Sequence, residues 1–141
     1  MNDVVLNKKE SIERCIKQIH AYYSLSSDTP FIYDHLRQDA IAINLQRVCE
    51  QSIDLANYTI KSRKLGLPKD SRESFHLLAQ NNIISQRLAV ILERMVGFRN
   101  VLIHQYQKLD INIMIDIIEH RLDDLLEYTD YIVNEFSKDE G

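Results

Sequence analysis

The sequence predicts an all-α protein: an up-and-down four-helix bundle with one short extra helix, folded as a single domain over residues 1–141. Three observations lead there. Apolar residues recur at alternating three- and four-residue steps through most of the chain, the period of one helix face. Only three glycines and two prolines occur, so few positions can stop a helix once it has begun. A hydrophobic content of 45% supplies enough apolar side chain for one core at this length.

The first helix is expected from about Asp3 to Tyr23. Val5, Ile12, Ile16, Ile19 and Tyr23 share a face, with Lys8, Lys9, Glu13 and Lys17 between them. The polar run 24–30 closes it, and His20 falls where a polar group faces a helix C-terminus. The second helix starts soon after Pro30 and reaches about Lys64. Ile41, Leu45, Val48, Ser52 and Leu55 form its buried stripe. Asn44, Arg47, Gln51 and Asp54 form a second, polar row that either faces water or walls a cleft; in a cleft, Arg47 is placed to touch phosphate. Leu65-Gly66-Leu67-Pro68 is a stop signal.

Asp70 with Glu73 three residues on resembles a capping box and opens a short helix through Phe75 and Leu78, ended by Asn81-Asn82. From Ser85 onward, Leu88, Ile91, Met95, Phe98 and Leu102 keep one face apolar. Gly97 interrupts that helix at a cost of about 1 kcal/mol, which points to close packing of another backbone, a partner's included, or to a merely tolerated glycine. Asp110 is a suitable N-cap for a last helix whose inward face is Ile111, Ile115, Ile118, Leu122, Leu125, Thr129, Ile132 and Phe136. Ile113, Met114 and Ile117 leave surplus apolar surface on its other faces, as a dimer interface would.

The net charge is −4, unevenly spread. Residues 110–141 carry 2 Lys+Arg against 10 Asp+Glu, and residues 1–109 carry 15 against 11. Such an acidic helix repels RNA and either attracts a basic partner or is simply a solvated face. Lys61, Arg63, Lys64, Lys69 and Arg72 make the most basic part of the chain, able to guide RNA by charge or to sit as a solvated helix end. Cys15 and Cys49 are isolated and read as small buried residues of a reduced, cytoplasmic protein. No apolar run approaches the ~18 residues of a membrane span. Glycine-rich phosphate loops, zinc-type Cys/His spacings and nucleophile elbows are missing. Glu119, His120, Asp123 and Asp124 bring acids and an imidazole close, which an acidic solvated face explains, so no metal or cofactor is expected.

The chemistry concentrates in Gly97-Phe98-Arg99-Asn100-Val101-Leu102-Ile103-His104-Gln105-Tyr106. Arginine offers a planar, permanently charged fork suited to phosphate. Histidine accepts or donates a proton near neutral pH. An imidazole taking the proton of a ribose 2′-hydroxyl and a guanidinium stabilising the phosphorane would cleave RNA without a metal. The bland assignment for the same pair is a surface charge and a helix-end polar group. On an ideal helix Arg99 and His104 lie about 140° apart. Either the helix unwinds before His104, or a neighbouring chain completes the site, which also supplies the second histidine that separate acid and base roles need.

The segment Arg99 to Tyr106 resembles the R-x4-H-x-Y signature of the HEPN ribonucleases, and within them the HepT toxins paired with minimal nucleotidyltransferase antitoxins. The likeness extends upstream through Arg37-Gln38-Asp39 to Asn57 and from Ser71 to Asn82, most of the chain. The resemblance implies a homodimeric, metal-independent endoribonuclease toxin of a type VII-like pair, acting on RNA in the cytoplasm. His104 would be general base, Arg99 would stabilise the phosphorane, and Asn100 would orient the same groups. Tyr106 would accept AMP from the nucleotidyltransferase, which silences the toxin. Arg47, Lys61, Arg63 and Lys64 stand as candidate RNA contacts. The alternative is a non-catalytic helical partner or substrate-binding subunit of a nucleotidyltransferase.

Overall fold

The computed structural model describes residues 2–140, which form six α-helices and no strand. They are α1 (Asp3–Tyr23), α2 (His35–Arg63), α3 (Ser71–Gln80), α4 (Gln86–His104), α5 (Ile111–His120) and α6 (Leu122–Ser137). The first four helices fall where periodicity and caps put them. Asn2, Asp34, Asp70 and Ser85 each accept an N–H of the following first turn, from Val5, Arg37, Glu73 and Leu88, which satisfies amides that have no intrahelical partner.

The predicted stripe of α1 is buried from Val5 through Ile19, and so is that of α2 from Ile41 through Leu55. The polar row on α2 divides. Asn44 is buried, its amide donating to the Ala40 carbonyl at 3.0 Å, while Arg47 is exposed. Asp54 pairs with Lys8 of α1 at 3.5 Å. Helix α2 ends one turn before its glycine: Lys64 itself takes the left-handed conformation (φ 56°), and Gly66 follows at φ 132°. The Leu65 N–H then closes back on the Ile60 carbonyl at 3.0 Å, a six-to-one bond that pins this end.

The last helix departs from expectation. It breaks at Arg121 (φ −118°, ψ −14°) with no glycine or proline nearby. Arg121 N–H still reaches Ile117 O, but Asp124 N–H shortens to Arg121 O at 3.1 Å. From Leu122 onward the predicted stripe holds, with Leu122, Leu125, Thr129, Ile132 and Phe136 all buried. Upstream of the break the phase shifts. Met114 and Ile117, expected on outer faces, are buried beside Ile118, while Ile111 and Ile115 are only half-buried and Ile113 is exposed. The break lets each half turn its own most apolar face to the bundle, which one straight helix could not do.

Basic side chains of the other helices cross to the acids of α5 and α6. Lys9 pairs with Asp130 at 3.6 Å, and Arg87 pairs with Glu127 at 2.6 Å and Asp124 at 3.4 Å. Tyr23 donates to Glu119 at 2.7 Å; burial and that carboxylate push its phenol up to about 12. In the core, Tyr128 is fully buried, edge-on to Phe75, and its hydroxyl donates to the Ser52 carbonyl at 2.8 Å.

The α1–α2 connection is gathered on one guanidinium. Arg37 donates to the carbonyls of Tyr22, Tyr23, Leu25 and Thr29 and to the Asp34 carboxylate at 2.8 Å, and it stacks over Phe31. The Arg37 backbone amide and side chain hold the Asp34 carboxyl below its ordinary value. Arg37→Ala should therefore destabilise the fold by about 2 kcal/mol, the scale for hydrogen bonds to a charged group, measured by urea unfolding. A depressed folded-state carboxyl stabilises above its unfolded value and loses that contribution as pH falls through the folded one. In Arg37→Ala, the share of acid destabilisation due to Asp34 should accordingly shrink without vanishing, because the backbone N–H at position 37, the larger cause, is kept.

Candidate functional site

Helix α4 carries the motif and remains helical through it. Leu88, Leu92, Met95, Phe98 and Leu102 are buried along one side, so the direction of every motif side chain is fixed by packing. The helix runs to His104 and stops at Gln105 (φ −141°), whose N–H bonds to Val101 O at 2.9 Å. It does not unwind before His104. The two chemical groups consequently stay on different sides of one cylinder, about 140° apart.

Each looks onto its own cleft. Arg99 and Asn100 line a cleft of about 280 Å³ with Asp70, Ser71, Arg72 and Val96. His104 lies in a wider depression of about 580 Å³ with Ile103, Gln105, Tyr106, Gln107 and Lys108. Within one chain, Arg99 and His104 are not brought together. His104 and Asn100 are exposed, and Arg99 is half-buried with its Nε enclosed and unpartnered among the described residues. Arg99 also lies close enough to Cys49 to favour its thiolate, but burial outweighs it and pushes that thiol up to about 12. Cys49 donates to Met95 O at 3.8 Å and, like Cys15, is a buried free thiol.

Tyr106 follows in a short 3₁₀ turn, Tyr106–Lys108. Its ring is half-buried against Leu102, Ala42 and Ile43, and its hydroxyl donates to Asp39 Oδ1 of α2 at 2.5 Å. Burial first, then this carboxylate, raises the phenol well above its ordinary value.

The remaining candidates lie elsewhere. Arg47 acts on Cys15 of α1, and on α2 it sits about 160° around from Cys49, the residue that faces α4. Arg63 is occupied: it donates to Glu135 at 3.1 Å and Asp139 at 3.0 Å and covers the Phe136 ring at 4.5 Å. Lys61 and Lys64 are exposed at the end of α2. Among the described residues, no group of three or more His, Cys, Asp or Glu could hold a metal ion. Among the same residues, no helix is long and apolar enough to cross a membrane.

This arrangement has relatives. Residues 12–132 match the family described as Ribonuclease HepT-like. The chain is 45% identical over 132 residues to the mRNA nuclease HepT of Shewanella oneidensis, covering 94% of this chain and 98% of that one. The chain belongs to the HepT-like ribonuclease family. Among solved structures, the tri-AMPylated HEPN toxin of Shewanella oneidensis in complex with its MNT antitoxin superposes with a TM-score of 0.89 at 44% identity, over 95% of this chain and 99% of that one. A toxin–antitoxin structure with AMP-PNP gives 0.89 at 42% identity, covering 94% and 99%.

Two neighbours of the HepT-like motif were not singled out as site residues from sequence. Asp39 stands in the Arg37-Gln38-Asp39 stretch that carries the resemblance, but its bond to Tyr106 spans 67 positions and leaves no local pattern. Arg72 was grouped with the basic end of α2, whereas its guanidinium lies on α4 over Gly97: a Cβ there would stand 3.0 Å from its terminal nitrogen. Within the chain, what meets Gly97 is thus a side chain and not a backbone.

A phenol whose folded-state value is raised contributes stability below its unfolded value of about 10 and loses it as pH rises through the folded one. Asp39→Ala should lower Tyr106 ionisation but leave it above the ordinary phenol value, because burial, the larger cause, remains. The tyrosine ring resonances, assigned by difference with Tyr106→Phe, would show the shift.

Proposed function

We propose that this chain is a ribonuclease toxin that cuts RNA without a metal ion, at a site completed by a second copy of itself. The observation that carries the proposal is the unbroken α4 helix. It fixes an unpaired guanidinium, Arg99, and a free imidazole, His104, in a family of ribonucleases, yet on faces too far apart to act on one phosphate within a chain. A two-fold axis at this end of α4 sets Arg99 of one protomer near His104 of the other. His104 then takes the proton of the ribose 2′-hydroxyl, and the 2′-oxygen bonds to phosphorus. Arg99 stabilises the charge on the phosphorane oxygens, and Asn100 hydrogen-bonds the same group. The P–O5′ bond breaks, the second imidazole of the dimer protonates the departing oxygen, and a 2′,3′-cyclic phosphate remains. The mRNA nuclease name of the Shewanella oneidensis relative supports the substrate class.

Control of the toxin follows from Tyr106. Its phenol lies beside His104 at an open edge, and the Shewanella oneidensis toxin is AMPylated in complex with its antitoxin. Our proposal assigns Tyr106 as the AMP acceptor and a minimal nucleotidyltransferase as partner. The phenol oxygen attacks the α-phosphorus of ATP and pyrophosphate leaves. The added phosphodiester puts bulk and negative charge where the RNA phosphate must approach.

Cellular RNA should be cut in EDTA by the parent and not by Arg99→Ala or His104→Ala, with both variants folded, since neither side chain is in the core stripe. Light scattering should give twice the 16.6 kDa chain mass. Mixing the two inactive variants under conditions of subunit exchange should restore cleavage to well below the parent rate. The mixed dimer regains one Arg99–His104 pair but holds a single His104 imidazole, so the departing oxygen must take its proton from water. Activity no higher than in either variant alone would place the whole site in one chain. A parent that cuts no RNA leaves the helical partner-subunit function in its place.

The cognate nucleotidyltransferase with ATP should add about 329 Da per AMP to the parent and nothing to Tyr106→Phe. An unchanged mass gain in Tyr106→Phe would move the acceptor to another residue.

A further inference from the structure

The cleft beside Arg99 contains a second guanidinium. Arg72, from the first turn of α3, lies across α4 at Gly97, and both arginines line the same wall with Asn100. The guanidinium packs directly on this glycine: a Cβ there would stand 3.0 Å from the Arg72 terminal nitrogen, which would have to give by a few tenths of an ångström.

Four arginines of the bundle are matched by carboxylates: Arg37 by Asp34, Arg63 by Glu135 and Asp139, Arg87 by Asp124 and Glu127, and Arg121 by Asp124; among the described residues, Arg14, Arg47 and Arg94 are not so matched. Among the described residues, Arg72 and Arg99 have no such partner, and the Arg99 Nε is enclosed without an acceptor. The single carboxylate lining the cleft, Asp70, accepts the Glu73 N–H at 2.8 Å as the α3 cap. Two guanidiniums in one cleft repel unless an anion lies between them. Planar forks with a neighbouring amide match the oxygens of a phosphodiester.

We propose that Arg72 and Arg99, with Asn100, form a seat for a backbone phosphate of the RNA strand, which enters over the α3–α4 face and not along the basic end of α2. The inference deepens the ribonuclease proposal and rests on it for the choice of RNA. Arg99 is shared between seat and scission. Arg72 is a binding residue that holds the strand.

The test uses a labelled, fully 2′-O-methylated RNA oligonucleotide, which lacks the attacking hydroxyl, titrated into the full-length dimer at several salt concentrations. Arg72→Ala should weaken binding about tenfold and lower the salt slope by about one. Gly97→Ala, which removes no charge and moves the guanidinium by only a few tenths of an ångström, should weaken binding in the same direction but by clearly less than Arg72→Ala. Lys61→Ala, at the far basic end, reports the effect of bulk charge alone. Circular dichroism melting confirms that each variant is folded. Parent-like binding by both Arg72→Ala and Gly97→Ala overturns the seat, as does a loss in Arg72→Ala no greater than in Lys61→Ala. A parent that binds through Arg72 but cuts no natural RNA would defeat the ribonuclease proposal and leave the seat standing. A parent that cuts, with both variants binding normally, would do the reverse.

Discussion

Helical periodicity in α4 is the constraint on which the site depends. A residue every 100° and five steps from Arg99 to His104 set the two groups on separate sides of the cylinder. The helix cannot relax that angle, because the buried row from Leu88 to Leu102 locks it against the bundle. Unwinding the last turn would give up the packing of Leu102, and a rotation would expose Met95 or Phe98. The rigidity that aims each side chain also prevents one chain from using both on the same phosphate.

Charge in this fold is sorted by where its partner lies. The acids of α5 and α6 look like a repulsive surface when counted along the sequence. In space they receive Lys9, Tyr23, Arg63 and Arg87 from three other helices. Most of these pairs are exposed and each contributes little alone, but together they draw off the basic groups on that side of the bundle. Among the described cations that keep no such partner, Arg72 and Arg99 share one cleft, where α3 meets the motif helix.

The architecture was legible because caps and apolar period act locally: Asp70 and the stripe of α2 stand where sequence placed them. Those of α1 and α4 do so except at Tyr23 and Ile91, which are half-buried, Leu92 taking the core position on α4. The break at Arg121 was not, since no breaker residue marks it and it arises from a competition between two apolar faces for the same core. The motif residues were legible as a spacing, and so was the angular problem they raise. Their surroundings were not. Asp39 beside Tyr106 and Arg72 over Gly97 are tertiary contacts, and the only local trace of the second was a glycine in a helix that had no other need of one.

The bond between Tyr106 and Asp39 makes the polar tie between α2 and the segment after α4 depend on a single hydrogen atom. Any group attached to the phenol oxygen replaces that hydrogen, so the donor is lost and Asp39 is left facing its former partner without a bond. If the attached group is anionic, attraction turns to repulsion across the same short gap. The turn that carries Tyr106 then keeps its seat on α2 through the packing of its ring. Chemical marking would thus also remove the polar tie at this corner, and a marked chain could be told from an unmarked one by the loss of that bond as well as by its mass.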